Sequence, residues 1–68
     1  MSYEVIEVYE VKCRDGKTRY LAYLRNKRDY SLVITRIRRE EAEEIGVDET
    51  IAEDELSEEE REVLYAED

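Results

Sequence analysis

From Tyr3 to Arg39 the chain is rich in β-branched and aromatic residues, with Val5, Ile6, Val8, Tyr9, Val11, Tyr20, Tyr23, Val33, Ile34 and Ile37 suited to a pleated surface. Asp15-Gly16 divides the first two runs. This dipeptide tolerates the positive φ angles of a two-residue hairpin loop, so Arg14 and Lys17 are expected to flank it. Counting outward pairs Cys13 with Thr18, Val11 with Tyr20, Tyr9 with Ala22 and Glu7 with Leu24, and these residues would share the core face. The opposite face would carry Ile6, Val8, Leu21 and Tyr23, mixed with Lys12, Arg19 and Arg25. Val5-Ile6-Glu7-Val8 breaks strict alternation, which marks a bulge or a strand covered on both sides. A second turn, around Asn26 to Asp29, returns the chain into a third strand over Tyr30 to Ile37. Its register stays open: one loop length puts Val33 and Ile37 in the core, the other Leu32 and Ile34.

After Arg39 the pattern changes to helix formers. Glu40 to Ile45 reads as a short helix stopped by Gly46, with Ala42 and Ile45 facing the sheet. A second helix is expected from Ser57, because Ser57 and Glu60 have capping-box spacing; Val63, Leu64 and Leu56 supply its apolar side. Residues 47–57 contain few apolar side chains, and a loop, an extra helical turn and a disordered stretch are all open there. The expected fold is α+β: one domain over residues 1–68, a three-stranded antiparallel β-meander (residues 3–39), then an acidic segment (residues 40–68) of one or two short C-terminal helices on one face.

Size sharpens the packing problem. A chain of 68 residues buries only about 60% of the surface exposed when unfolded, so its core is thin. The lone Cys13 excludes an internal disulfide, and without any His the chain lacks the ligands of a structural zinc site. Charged residues make up 46% of the chain, and Pro, Phe, Trp, His and Gln are absent. That bias suits thermostable proteins, in which charged networks replace thermolabile amides, and equally suits an engineered scaffold without natural function. No apolar run approaches a membrane span, and the first residues lack the pattern of a signal peptide; a cytoplasmic protein with no membrane partner is expected.

The charge is segregated along the chain. Before Lys12 the only charges are Glu4, Glu7 and Glu10. From Lys12 to Arg39 there are 10 basic and 2 acidic residues, and from Glu40 onward 15 acidic residues accompany Arg61 alone, for a net charge of −9. Mutual neutralisation within the fold is one consequence. A second is a small non-enzymatic protein-protein interaction module, a regulator or inhibitor, using its acidic half and in particular Glu58, Glu59 and Glu60. The alternative is a nucleic-acid-binding sheet in which Arg19, Arg25 and Arg36 neutralise phosphates and Tyr23 offers a stacking surface. A homodimer is a further partner consistent with a small domain having open strand edges.

Catalytic chemistry finds little support. Without His the usual base for an activated nucleophile is missing, and carboxylates are too abundant for any pair to be diagnostic. Cys13, flanked by Lys12 and Arg14, reads as a small half-buried residue rather than a reactive thiol. Gly16 and Gly46 serve a turn and a helix end, which leaves no glycine-rich phosphate loop. No enzymatic activity, cofactor or metal site is expected.

Overall fold

The computed structural model describes residues 2–66, so Glu67 and Asp68 of the acidic segment lie outside the described residues. The elements run β1 (Tyr3–Lys12), β2 (Thr18–Asn26), β3 (Leu32–Ile37), α1 (Arg39–Ile45), β4 (Glu49–Ala52), a single 3-10 turn (Glu53–Glu55) and α2 (Glu58–Leu64). The fold is α+β, as the residue pattern predicts, but the sheet has four strands in the order β3-β2-β1-β4 and is mixed. The antiparallel meander β1-β2-β3 is present. To it is added β4, which pairs parallel with β1 through Tyr9↔Glu49 to Lys12↔Ala52. Residues 47–57 are therefore neither loop nor disorder alone; they hold the fourth strand and the 3-10 turn.

β4 escaped the sequence reading because the sheet supplies what its own residues lack. Its only large apolar residue, Ile51, pairs with Val11. Asp48 sets the approach: its amide donates to the Val8 carbonyl (2.9 Å), and its Oδ2 accepts from the Val8 amide (2.8 Å). A parallel strand cannot be reached by a hairpin, so α1 carries the chain from β3 past β2 and β1 to the far edge.

The first hairpin is wider than Asp15-Gly16 alone implies. Gly16, at φ 87°, donates its amide to the Cys13 carbonyl (3.0 Å), while the Cys13 amide donates to the Lys17 carbonyl (2.9 Å). This is a three-residue loop with glycine at the left-handed position. The pairing consequently moves by one residue, to Val11↔Arg19, Glu10↔Tyr20, Tyr9↔Leu21 and Val8↔Ala22. Because side chains alternate, that step exchanges the faces of β2 relative to β1. The irregularity in β1 is a bulge at Ile6, between the pairs Val5↔Leu24 and Glu7↔Tyr23. The second loop, Lys27 to Tyr30, has four residues rather than two or three, with Tyr30 at φ 61°.

The shifted register makes both faces of the sheet apolar. On one, Val11, Cys13 and Leu21 pack with Leu56 and Leu64, supported by Tyr9, Ile34, Ile51 and Val63. On the other, Val8, Tyr20 and Ala22 pack with Ala42 beside Leu24 and Ile37. Helices confined to one face would leave one of these clusters in water. Instead α1 covers the second cluster and α2, with the preceding 3-10 turn, the first. Of the two α1 residues expected to face the sheet, Ala42 is buried whereas Ile45 is half exposed at the helix end. Gly46, at φ 106°, ends α1 and returns its amide to the Ala42 carbonyl (2.8 Å). The expected capping box begins α2: Ser57 Oγ accepts from the Glu60 amide (3.2 Å) and Glu60 Oε1 from the Ser57 amide (2.7 Å).

Leu64 is fully buried in the cluster under α2. Leu64→Ala is expected to lower unfolding stability by about 2–5 kcal/mol, through lost transfer energy and a residual cavity. The exposed apolar Ile45 is the control, and Ile45→Ala should change stability by no more than about 0.5 kcal/mol. Urea titration of the two variants reads the difference; equal losses would show that α2 is not docked as described.

Candidate functional site

The charged residues from the two halves of the chain meet at several separate places. At the hairpin end, the buried carboxylate of Glu53 (5% exposed) accepts hydrogen bonds from the Tyr65 hydroxyl and from the Arg14 amide (3.1 Å). The Arg14 guanidinium reaches Glu53 at 4.0 Å and bonds Asp54 through Nε at 2.7 Å. One basic-segment residue, Arg14, and the end of α2 are thereby tied to the 3-10 turn. The Tyr65 hydrogen bond, followed by the Arg14 amide, holds the Glu53 carboxyl below its ordinary value. The same bond, reinforced by burial, pushes the Tyr65 phenol well up. Above the Tyr65 ring lies the Arg19 guanidinium, 4.5 Å from its centroid.

The four basic-sheet residues singled out in the sequence do not form one open platform. Arg19 makes two bonds to Asp15 (3.2 and 3.0 Å), which lower the Asp15 carboxyl and raise the guanidinium. Tyr23 lies under α2, edge-on to Tyr9 with centroids 5.8 Å apart, and donates its hydroxyl to Glu60. Arg36 donates to the Leu64 carbonyl at the end of α2 (3.4 Å). Arg25 stands at the far end of the sheet, bonded to Glu4 through Nε (3.0 Å) and 5.8 Å from the Tyr30 ring centroid.

The three glutamates of the acidic alternative also separate. Glu60 is half-buried, engaged by both Ser57 and Tyr23. Glu58 and Glu59 are exposed and make no hydrogen bond or ion pair among the described residues. The same holds for Glu62, one turn further along α2, and for Glu40 and Glu44 on α1. Since α1 and α2 cover opposite faces, the acidic half presents two surfaces rather than one. Every described acidic residue before Glu40, by contrast, has a hydrogen-bond partner within the fold.

A third arrangement escapes the sequence altogether. Beside the first hairpin, on the α1 side of the sheet, is a concavity of about 530 Å³ with Tyr20 and Ile37 in its floor. Lys12, Lys17, Arg19, Arg36 and Arg39 line it, against the single carboxylate of Glu10. Glu10 accepts from the Tyr20 hydroxyl (3.2 Å) and from Thr50 Oγ1 (3.0 Å), and lies 3.9 Å from Lys12 Nζ. Burial, followed by the Glu10 hydrogen bond, raises the Tyr20 phenol. Lys12 and Arg39 meet here only because of the hairpin register and the entry of α1, neither of which their sequence spacing reveals.

Cys13 is buried in the cluster under α2, its thiol 3.7 Å from the Val11 carbonyl oxygen. Among the described residues no group of three or more Cys, Asp or Glu side chains is placed to hold a metal ion, and no helix is long and apolar enough to cross a membrane.

The Glu53 cluster yields a pH prediction. A carboxyl whose folded value lies below its unfolded value near 4.5 stabilises the fold above that pH, and the contribution disappears as pH falls through the folded value. Tyr65→Phe removes the largest cause of the lowering while keeping the ring beneath Arg19. Its acid-unfolding midpoint, followed by far-UV circular dichroism, is expected at a higher pH than that of the wild type; an unchanged or lower midpoint would contradict this role of Tyr65.

Comparison with known proteins gives no further guide: no family model, curated protein or solved structure matches the chain.

Proposed function

We propose that this chain is a small non-catalytic protein-interaction module that docks on a basic protein surface through the outer side of α2. The observation that carries this reading is the division of labour among the helix carboxylates. Glu60 is used internally, while Glu58, Glu59 and Glu62 remain exposed and without a partner among the described residues. Glu58 and Glu59 lie in the first turn of α2, where the helix dipole favours carboxylates, but Glu62 lies beyond that turn and faces Glu58 at a spacing where like charges repel by about 0.2–0.5 kcal/mol. Against a cationic partner the same charges accelerate encounter and fix orientation.

A nucleic-acid strand laid across the sheet is the weaker reading. α2 occupies the space above Tyr23, and Arg19 and Arg25 already have carboxylate partners. Self-association has a specific place to occur, the outer edge of β3, where Leu32 and Val33 are exposed. Antiparallel pairing there would bring Arg36 and Arg38 of two copies onto one basic edge, which weighs against it.

The test is affinity capture from cell extract with the wild-type chain, with Glu58→Gln/Glu59→Gln/Glu62→Gln, and with Lys27→Gln/Arg28→Gln. A basic protein retained by the wild type and the second variant, but released by salt and lost by the α2 variant, is the expected result. Equal retention by all three forms would remove the α2 surface from consideration.

A further inference from the structure

We propose that the concavity beside the first hairpin is a binding site for a compact polyphosphate group, such as the phosphate chain of a nucleotide. This site is independent of the α2 surface. Its volume, about 530 Å³, falls within the ordinary range for small-ligand pockets. Three cations, Lys12, Lys17 and Arg39, face the single carboxylate of Glu10 in a protein of net charge −9, while Arg19 and Arg36 border the hollow and send their guanidinium groups to the α2 side of the sheet.

The cations are arranged on a rigid frame. Lys12 is held on β1 opposite Thr18, whose hydroxyl accepts from its ammonium (3.4 Å). Arg39 enters from the first residue of α1. Lys17, on the hairpin loop, makes no side-chain hydrogen bond or close ion pair among the described residues. Glu43, which holds Arg39, stands outside the lining and fixes that guanidinium group without filling the hollow. Donors from β1, the hairpin and the start of α1 thus border one space. Charge-assisted bonds from Lys and Arg are the strongest available to phosphate oxygens.

Electrostatics also limits the size of the ligand. α1 carries Glu40, Glu41, Glu43 and Glu44 beside Arg39, and Asp15 borders Lys17. A long polyanionic strand leaving the hollow would run along these carboxylates, whereas two or three linked phosphates end within the basic lining.

The test is isothermal titration with sodium tripolyphosphate at low salt, using the full chain. The wild type is expected to bind one equivalent. Lys17→Gln should weaken binding about tenfold, and Lys12→Gln/Lys17→Gln further still, whereas Lys27→Gln/Arg28→Gln, on the loop at the opposite end of β2, should bind as the wild type does. Circular dichroism checks each fold; Lys17, exposed on a loop, can be replaced without touching the core. Absence of saturable binding by the wild type would overturn the proposal. So would equal weakening by the two double variants, which would indicate diffuse attraction. A single-stranded RNA oligomer that binds more tightly than tripolyphosphate, with the same dependence on Lys17, would overturn the compact-ligand assignment.

Discussion

The width of the first hairpin governs the rest of this fold. A three-residue loop closed by Gly16 sets Leu21 opposite Tyr9 and Ala22 opposite Val8, so apolar side chains emerge on both sides of the central strands. A sheet with two apolar faces in a chain of 68 residues must be covered twice, at a length where little chain is available to do so. The solution is to use one seven-residue helix per face. Each is too short to be stable alone and draws its stability from the strip of sheet beneath it. The crossing from face to face requires an element at the far edge, and β4 supplies it.

The same geometry explains how a chain with segregated charge avoids simple self-neutralisation. Acidic and basic halves do touch, at Arg14 with Glu53 and Asp54, and at Arg39 with Glu43. But α1 and α2 lie on opposite sides, so their outward carboxylates cannot reach a common set of cations. The basic residues likewise divide between the hairpin end, where Lys12, Lys17 and Arg39 surround a hollow, and the Lys27–Arg28 loop at the other end. The two functional proposals thus use different parts of the molecule, an acidic helix surface and a basic pocket.

Much of this architecture was legible in local signals. The strand runs, the stop at Gly46 and the Ser57–Glu60 capping box depend on neighbouring residues, and they occur where their chemistry predicts. What was not legible depended on contacts distant in the chain. Asp15-Gly16 identified a turn, but loop length was decided by the Cys13–Lys17 closure, and one residue of register reassigned every side chain of β2. β4 contributes one sizeable apolar residue and is a strand only because β1 offers it a partner. Of the candidate residues, Glu58 and Glu59 are as exposed as a run of glutamates suggests, whereas Glu60 and Tyr23 are consumed by each other. The basic hollow and the Glu53–Tyr65 bond join residues far apart in sequence and had no local signature.

The central claim, that the two helices cover opposite faces of one sheet, is open to direct measurement by nuclear Overhauser contacts in a methyl-labelled sample. The account predicts cross-peaks from the Ala42 methyl to Val8 and Ala22, and a separate set from the Leu64 methyls to Val11 and Leu21. Cross-peaks from both helices to the same strand residues would contradict it, because they would place α1 and α2 on a single face.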